Sequence, residues 1–126
     1  MKKEIYSINA PKPIGPYSQA VKYNNMIFIS GQIAIEFKTK NIITCDIFEE
    51  TKMVMENIKH ILNECDCTFE NIVKCSIFLS DMSLFESVNK IYGEYFLQPF
   101  PARETIEVSR LPRNVNVEIS AIAICK

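Results

Sequence analysis

"PARETIEVSRLPRNVNVEIS", residues 101–120, places two alternating runs of residues on either side of a turn-rich centre. A four-residue loop, Arg110-Leu111-Pro112-Arg113, would pair Ser109 with Asn114 and hence Thr105 with Glu118 in an antiparallel hairpin. One face then carries Arg103, Thr105, Glu107, Ser109, Asn114, Asn116, Glu118 and Ser120. The other carries Ile106, Val108, Val115, Val117, Ile119 and Ala121. The apolar face requires a layer of helices, and the polar face requires water, a ligand or another subunit. On this reading Arg103 and Glu118 are diagonal neighbours on the polar face.

The rest of the chain supplies that layer. "EIYS" (4–7) reads as a short strand and "NAPKPIGPY" (9–17) as a loop stiffened by three prolines. "SQAVKYNNMIFISGQIAI" (18–35) reads as two strands turning at Asn24-Asn25. "DIFEETKMVMENIKHILNEC" (46–65) is a helix in which Ile47, Thr51, Val54, Ile58, Ile61, Leu62 and Cys65 form one stripe. Asp46 followed by Glu49 resembles a capping box. "NIVKCSIFLSD" (71–81) is a strand. "SLFESVNKIYGEYF" (83–96) is a second helix, with Ser83 as its cap, Glu86 three residues on, and Phe85, Val88, Tyr92, Tyr95 and Phe96 on one face. The expected fold is α+β: a six-stranded mixed sheet with both helices on one face, in a single domain over residues 1–126.

Composition narrows the function classes. Lys+Arg 14 against Asp+Glu 15 gives a net charge of −1, which provides no field for nucleic acid or an anionic membrane. A hydrophobic content of 48% with 23% charged residues fits a compact core. "MKKEIYSINAPKPIGPY" holds no apolar run of the kind a secretion signal needs, and five cysteines, an odd number, fit free thiols in a reducing compartment. The expectation is a cytoplasmic protein.

Few residues offer chemistry. His60, the lone histidine, falls on a helix face with Glu56, Lys59 and Asn63, which disfavours Ser-His or Cys-His catalysis. Cys65-Asp66-Cys67 lacks metal-ligand spacing, and Cys75 and Cys125 read as buried packing residues. Arg103 and Glu118 stand out. Parity alone allows an ordinary cross-strand salt bridge on a solvated face. Against that, "FPA" gives Arg103 a rigid entry, and Ile122 and Ile124 make the face of Glu118 apolar further on. A fixed guanidinium can fork a substrate carboxylate and leave the glutamate to manage water.

"NAPKPIGPYSQAV" (9–21), "FISGQI" (28–33), "SVNKIYGEYF" (87–96) and "FPARETIEVSRLPRNVNVEISAIA" (100–123) together resemble the reactive intermediate deaminase (Rid, YjgF-type) family. The resemblance runs collinearly over nearly the whole chain. It implies a chorismate-mutase-like fold assembled as a homotrimer with sites between subunits. It also implies cofactor-free and metal-free hydrolysis of 2-aminoacrylate, 2-iminopropanoate and 2-iminobutanoate, released by pyridoxal-phosphate enzymes, to 2-oxo acids and ammonia. By that resemblance Arg103 binds the substrate carboxylate and Glu118 places the water. Tyr17, Ser30, Gly31 and Asn89 line the pocket. Thr105 stands where many members have cysteine, and "FLQPFPAR" (96–103) is a few residues shorter than in bacterial members; both bear on substrate size.

Two other classes compete with the deaminase. One is an endoribonuclease or translation inhibitor, disfavoured by the balanced charge and the absence of a basic, aromatic-lined groove. The other is a non-catalytic trimer that binds small carboxylates in the same clefts.

Overall fold

The computed structural model describes residues 1–126. Six strands, β1 (Lys3–Ile5), β2 (Ala20–Tyr23), β3 (Met26–Gln32), β4 (Ile72–Leu79), β5 (Ala102–Glu107) and β6 (Val117–Ile124), form one mixed sheet in the order β1-β2-β3-β6-β4-β5. Two helices, α1 (Ile47–Asn63) and α2 (Phe85–Gly93), cover one face. The architecture is the α+β layering expected from the alternation of patterns along the sequence.

Each element follows from local chemistry. β2 and β3 turn at Asn24-Asn25, where Asn24 takes φ 54, a left-handed conformation that asparagine tolerates. Asp46 caps α1 by accepting from the Phe48 N–H at 2.8 Å. The α1 stripe buries Val54, Ile58, Ile61 and Leu62 against the sheet residues Ile27, Ile77 and Ile119. Truncating one of these, such as Ile58→Ala, costs about 2–5 kcal/mol. The start of α2 differs from expectation. Ser83 does not cap it, and α2 has no side-chain cap of its own; Asp81 instead caps the 3-10 turn Met82–Leu84 that runs into α2, accepting from the Ser83 N–H at 2.8 Å. Its carboxylate reaches that N–H directly, and Glu107 accepts from Met82 N at 2.7 Å beside it. The helix also ends at Gly93, so Tyr95 and Phe96 pack beyond it rather than on its face.

The largest correction concerns residues 101–120. β5 and β6 do not form a hairpin. β4 lies between them, parallel to β5 and antiparallel to β6. The reason lies in the segment between. Leu111 and Val115 are buried, and Arg113 and Asn114 take φ 58 and 56, so residues 108–116 form a structured crossing rather than a tight loop. β6 has alternating fully buried residues (Val117, Ile119, Ala121, Ala123) that require a central place, whereas β5 suits an edge. α2 serves as the crossover that parallel β4 and β5 need.

The insertion of β4 changes the faces. Thr105 sits beside Ile77, which sits beside Ile119, so Arg103, Thr105 and Glu107 lie on the helix-covered face. Glu118 sits beside Phe78, which sits beside Ile106, so Glu118, Ser120 and Ile122 lie on the open face. Ile106, expected toward the helices, is instead 45% exposed on the open face. A shift of one residue in relative register exchanges the faces of a strand.

One further expectation fails. Cys67 and Cys125 are not free thiols; they lie sulfur to sulfur as a disulfide with Cα atoms 6.2 Å apart, joining the turn after α1 to the end of β6. A pairing across 58 residues is created by the fold and leaves no spacing signal. Cys45, Cys65 and Cys75 are free, and Cys75 is buried as expected. No helix is long and apolar enough to cross a membrane.

Candidate functional site

β3 contains a bulge at the point where it meets β6. Ile29 pairs with Ala121 and Gln32 with Ile119, so Ser30 and Gly31 both stand opposite Ser120. The bulge opens a space over Gly31 that the Glu118 side chain fills. A Cβ on Gly31 would lie 2.7 Å from Glu118 Cδ. A side chain at position 31 would displace that carboxyl, while the backbone angle of Gly31 makes no demand for glycine.

Glu118 faces a pocket lined with Tyr17, Gln19, Gly31, Pro112 and Arg113, among others. It is half-buried and has no ion-pair partner in the chain. Burial raises its pKa above the usual carboxylate value. The wall that carries Tyr17 is held by Gln19, whose buried amide accepts from Ser7 N at 2.7 Å and donates to Ser7 O and Pro11 O at 3.1 and 2.9 Å. Ser30 does not line the pocket. Its hydroxyl donates to Ser18 O at 2.6 Å, tying the bulge to the same loop.

Arg103 faces a second pocket, lined by Asn89, Tyr92, Gly93, Phe100 and Pro101. Its Nη1 donates to Asn89 Oδ1 at 2.7 Å, and the guanidinium lies 4.9 Å from the Tyr92 ring centroid and 5.6 Å from that of Phe85. No carboxylate pairs with it. Three contacts thus fix the direction of the fork and leave its charge available. Thr105 lies one step along the same face, its Oγ1 buried without a hydrogen-bond partner, as is Tyr92 Oη. Beneath them burial pushes the Cys75 thiol up to about 11, which keeps it protonated and poor as a nucleophile.

These residues therefore fall into two groups on opposite faces. Tyr17, Gly31 and Glu118 share one pocket, and Asn89 and Arg103 share the other, with Ser30 and Thr105 behind the respective walls. The ordinary salt bridge between Arg103 and Glu118 does not exist in the chain. His60 packs edge-on to Phe37 at 6.5 Å and belongs to neither pocket.

The sequence profile of the family described as Endoribonuclease L-PSP matches residues 7–125. The chain belongs to this family. A RutC family protein of Pyrococcus horikoshii is 50% identical over 123 residues, covering 98% of both chains. A mouse protein named 2-iminobutanoate/2-iminopropanoate deaminase is 41% identical over 124 residues, covering 98% of this chain and 92% of its own. A crystal structure of a conserved Rid-family protein from Yersinia pestis superposes with a TM-score of 0.95 at 42% identity, covering 98% of this chain and 99% of its own. The L-PSP family fold thus accounts for the whole sheet and both helices.

Sequence reasoning missed several residues that line these two pockets. Gln19, Arg113, Tyr92 and Phe100 line the pockets without having been singled out for that role. Gln19 had a signal: an amide inside a proline-stiffened loop, just before an apolar strand. Tyr92 was read only as a core-facing aromatic, and its proximity to Arg103 follows from the α2 crossover.

Proposed function

We propose that the protein hydrolyses 2-imino acids and their enamine tautomers, such as 2-iminopropanoate with 2-aminoacrylate and 2-iminobutanoate, to 2-oxo acids and ammonia. The site is completed by two copies of the chain within a homotrimer. The observation that carries this reading is two charges with no salt bridge in the chain, in pockets on opposite faces: an ordered guanidinium, and a half-buried carboxyl whose pocket includes Arg113 but which makes ion-pair contact with no cation. Within one chain they cannot reach one substrate. Between two copies they can.

The open face favours such contact. Phe28, Ile106 and Ile124 lie there 39%, 45% and 38% exposed, with Phe78 and Ile122 half-buried beside them. Apolar surface of this kind gains about 25 cal/mol per Å² when covered. A trimer covers it and brings the Glu118 pocket of one copy to the Arg103 pocket of the next.

The chemistry follows from the residues. Arg103, aimed by Asn89, forks the substrate carboxylate and fixes the imine carbon. Glu118 orients a water and accepts its proton as the oxygen bonds to that carbon and the C=N π bond opens, then passes that proton to nitrogen to give a carbinolamine; it next takes the hydroxyl proton and delivers it to nitrogen as the C–N bond breaks, the C=O bond forms and ammonia leaves. A raised pKa suits it to these transfers. Tyr17 and Gly31 line the Glu118 pocket, and Ser30 and Thr105 support the two walls from behind. The name of the mouse relative supports this reading.

A coupled assay tests it. A serine/threonine dehydratase generates the imine while semicarbazide traps what survives. Added protein is expected to lower the trapped fraction at catalytic amounts; an unchanged fraction at stoichiometric excess would leave carboxylate binding alone. The family description favours RNA cleavage as a second reading. Its test is cleavage of single-stranded RNA that Glu118→Gln abolishes.

A further inference from the structure

We infer that Glu50, a buried carboxylate on α1, is a positioning residue that sets the direction of Glu118. The inference rests on the role proposed above for Glu118. Glu50 is 0% exposed and has no cationic partner. Its Oε2 accepts from Asn116 N at 2.7 Å and Val117 N at 3.3 Å, and its Oε1 accepts from Asn116 Nδ2 at 2.8 Å. A buried carboxylate is tolerated only when donors of this kind replace water. On its other side Asn116 O accepts from Ser80 N at 3.0 Å. Residue 116 is thus clamped from both sides immediately before β6 begins at Val117, and Glu118 is the next residue.

A second observation points the same way. Asn57, also buried on α1, donates through Nδ2 to Ile33 O at 3.1 Å and Ile35 O at 3.2 Å. Those carbonyls follow the Gly31 bulge, just past the end of β3 at Gln32. α1 therefore grips both strands at the end of the sheet where Gly31 meets Glu118: Asn57 just after the bulge, Glu50 just before the carboxylate. The Glu118 side chain has one open path, over the missing Cβ of Gly31. Rotation of an unclamped strand head would swing the carboxyl out of that path while leaving the Arg103 pocket, on the other face, unchanged. The effect belongs in turnover rather than in substrate affinity.

The test compares Glu50→Ala and Glu50→Gln with Glu118→Gln, reading kcat and KM for 2-iminopropanoate beside hydrogen exchange of the Asn116 and Val117 amides. Glu50→Ala is expected to expose both amides and to lower kcat about 10- to 100-fold with KM within about twofold, the scale of a small misplacement. Glu50→Gln is expected to restore most of that loss, because Oε1 still accepts from both backbone N–H groups while Nε2 donates to a flipped Asn116 amide. Wild-type kcat in folded Glu50→Ala would overturn the inference, as would a loss that Gln does not rescue. If the alanine variant does not fold, Asn116→Ala keeps the backbone bonds and removes the Nδ2 bond to Glu50 at 2.8 Å together with the long Ser80 Oγ contact at 3.4 Å; a several-fold fall in kcat that Ser80→Ala does not reproduce supports the clamp, and unchanged kcat overturns it. Turnover that survives Glu118→Gln would instead remove Glu118 from the reaction, a separate failure.

Discussion

Arg103 and Glu118 stand on opposite faces of one sheet: Arg103 shares its face with Cys75 and Glu118 with Phe78. Each is held in place by neighbours on its own side, Arg103 by Asn89, Tyr92 and Phe85, Glu118 by the gap above Gly31. Neither charge is neutralised within the chain. The separation argues for a site shared between copies, and the predictions test its parts.

Arg103→Ala should weaken binding of pyruvate by about 10- to 150-fold, the loss of a hydrogen-bonded charge worth about 1.5–3 kcal/mol, and abolish acceleration. Arg103→Lys should rescue poorly, because an ammonium lacks the planar fork that Asn89 aims. Isothermal titration with pyruvate checks both. Lysine binding as tightly as arginine would show that charge alone suffices.

Glu118→Gln should retain pyruvate binding and lose about 10²- to 10⁴-fold in turnover. The variant also bears on stability. Burial raises the folded pKa of Glu118 above its unfolded value, so ionising it costs the folded state at pH above the folded pKa and nothing below the unfolded one. Removing the charge should therefore raise or preserve Tm at neutral pH, with the difference vanishing as pH falls below the usual carboxylate value. A Tm lower than wild type at pH 7, recovering in acid, would reverse the sign.

Gly31→Ala should fold, because the group in its way is the far end of the flexible Glu118 side chain. Turnover should nonetheless fall about 10- to 100-fold, since that end is the reacting carboxyl. Activity measured beside Tm separates the two effects; full activity would mean Glu118 works from another position.

How much of this was legible in the sequence varies by residue. The α1 stripe, the Asn24-Asn25 turn and the need for a helical layer follow from local periodicity, which tertiary context did not override. Strand order did not. Alternation told that Arg103 and Thr105 share a face and that Glu118 and Ser120 share one, but not that β4 would be inserted between them. Parity is strictly local, whereas the relative face of two strands depends on which strand separates them. Glu50 and Asn57 lie outside the apolar stripe and carried no signal of their own; the backbone groups they satisfy come from residues 66 and 24 positions away. The Cys67–Cys125 pair was invisible for the same reason.

Mixing two inactive variants tests the shared site most directly. Arg103→Ala chains carry an intact Glu118, and Glu118→Gln chains carry an intact Arg103. Refolded together at equal amounts, they should form trimers in which a quarter of the interfaces join one intact residue of each kind, so that activity returns to roughly a quarter of wild type if each site acts independently. The control is each variant refolded alone, which should remain inactive. No recovery in mixed trimers, verified as mixed by mass, would place both residues in a site within a single chain and contradict the account.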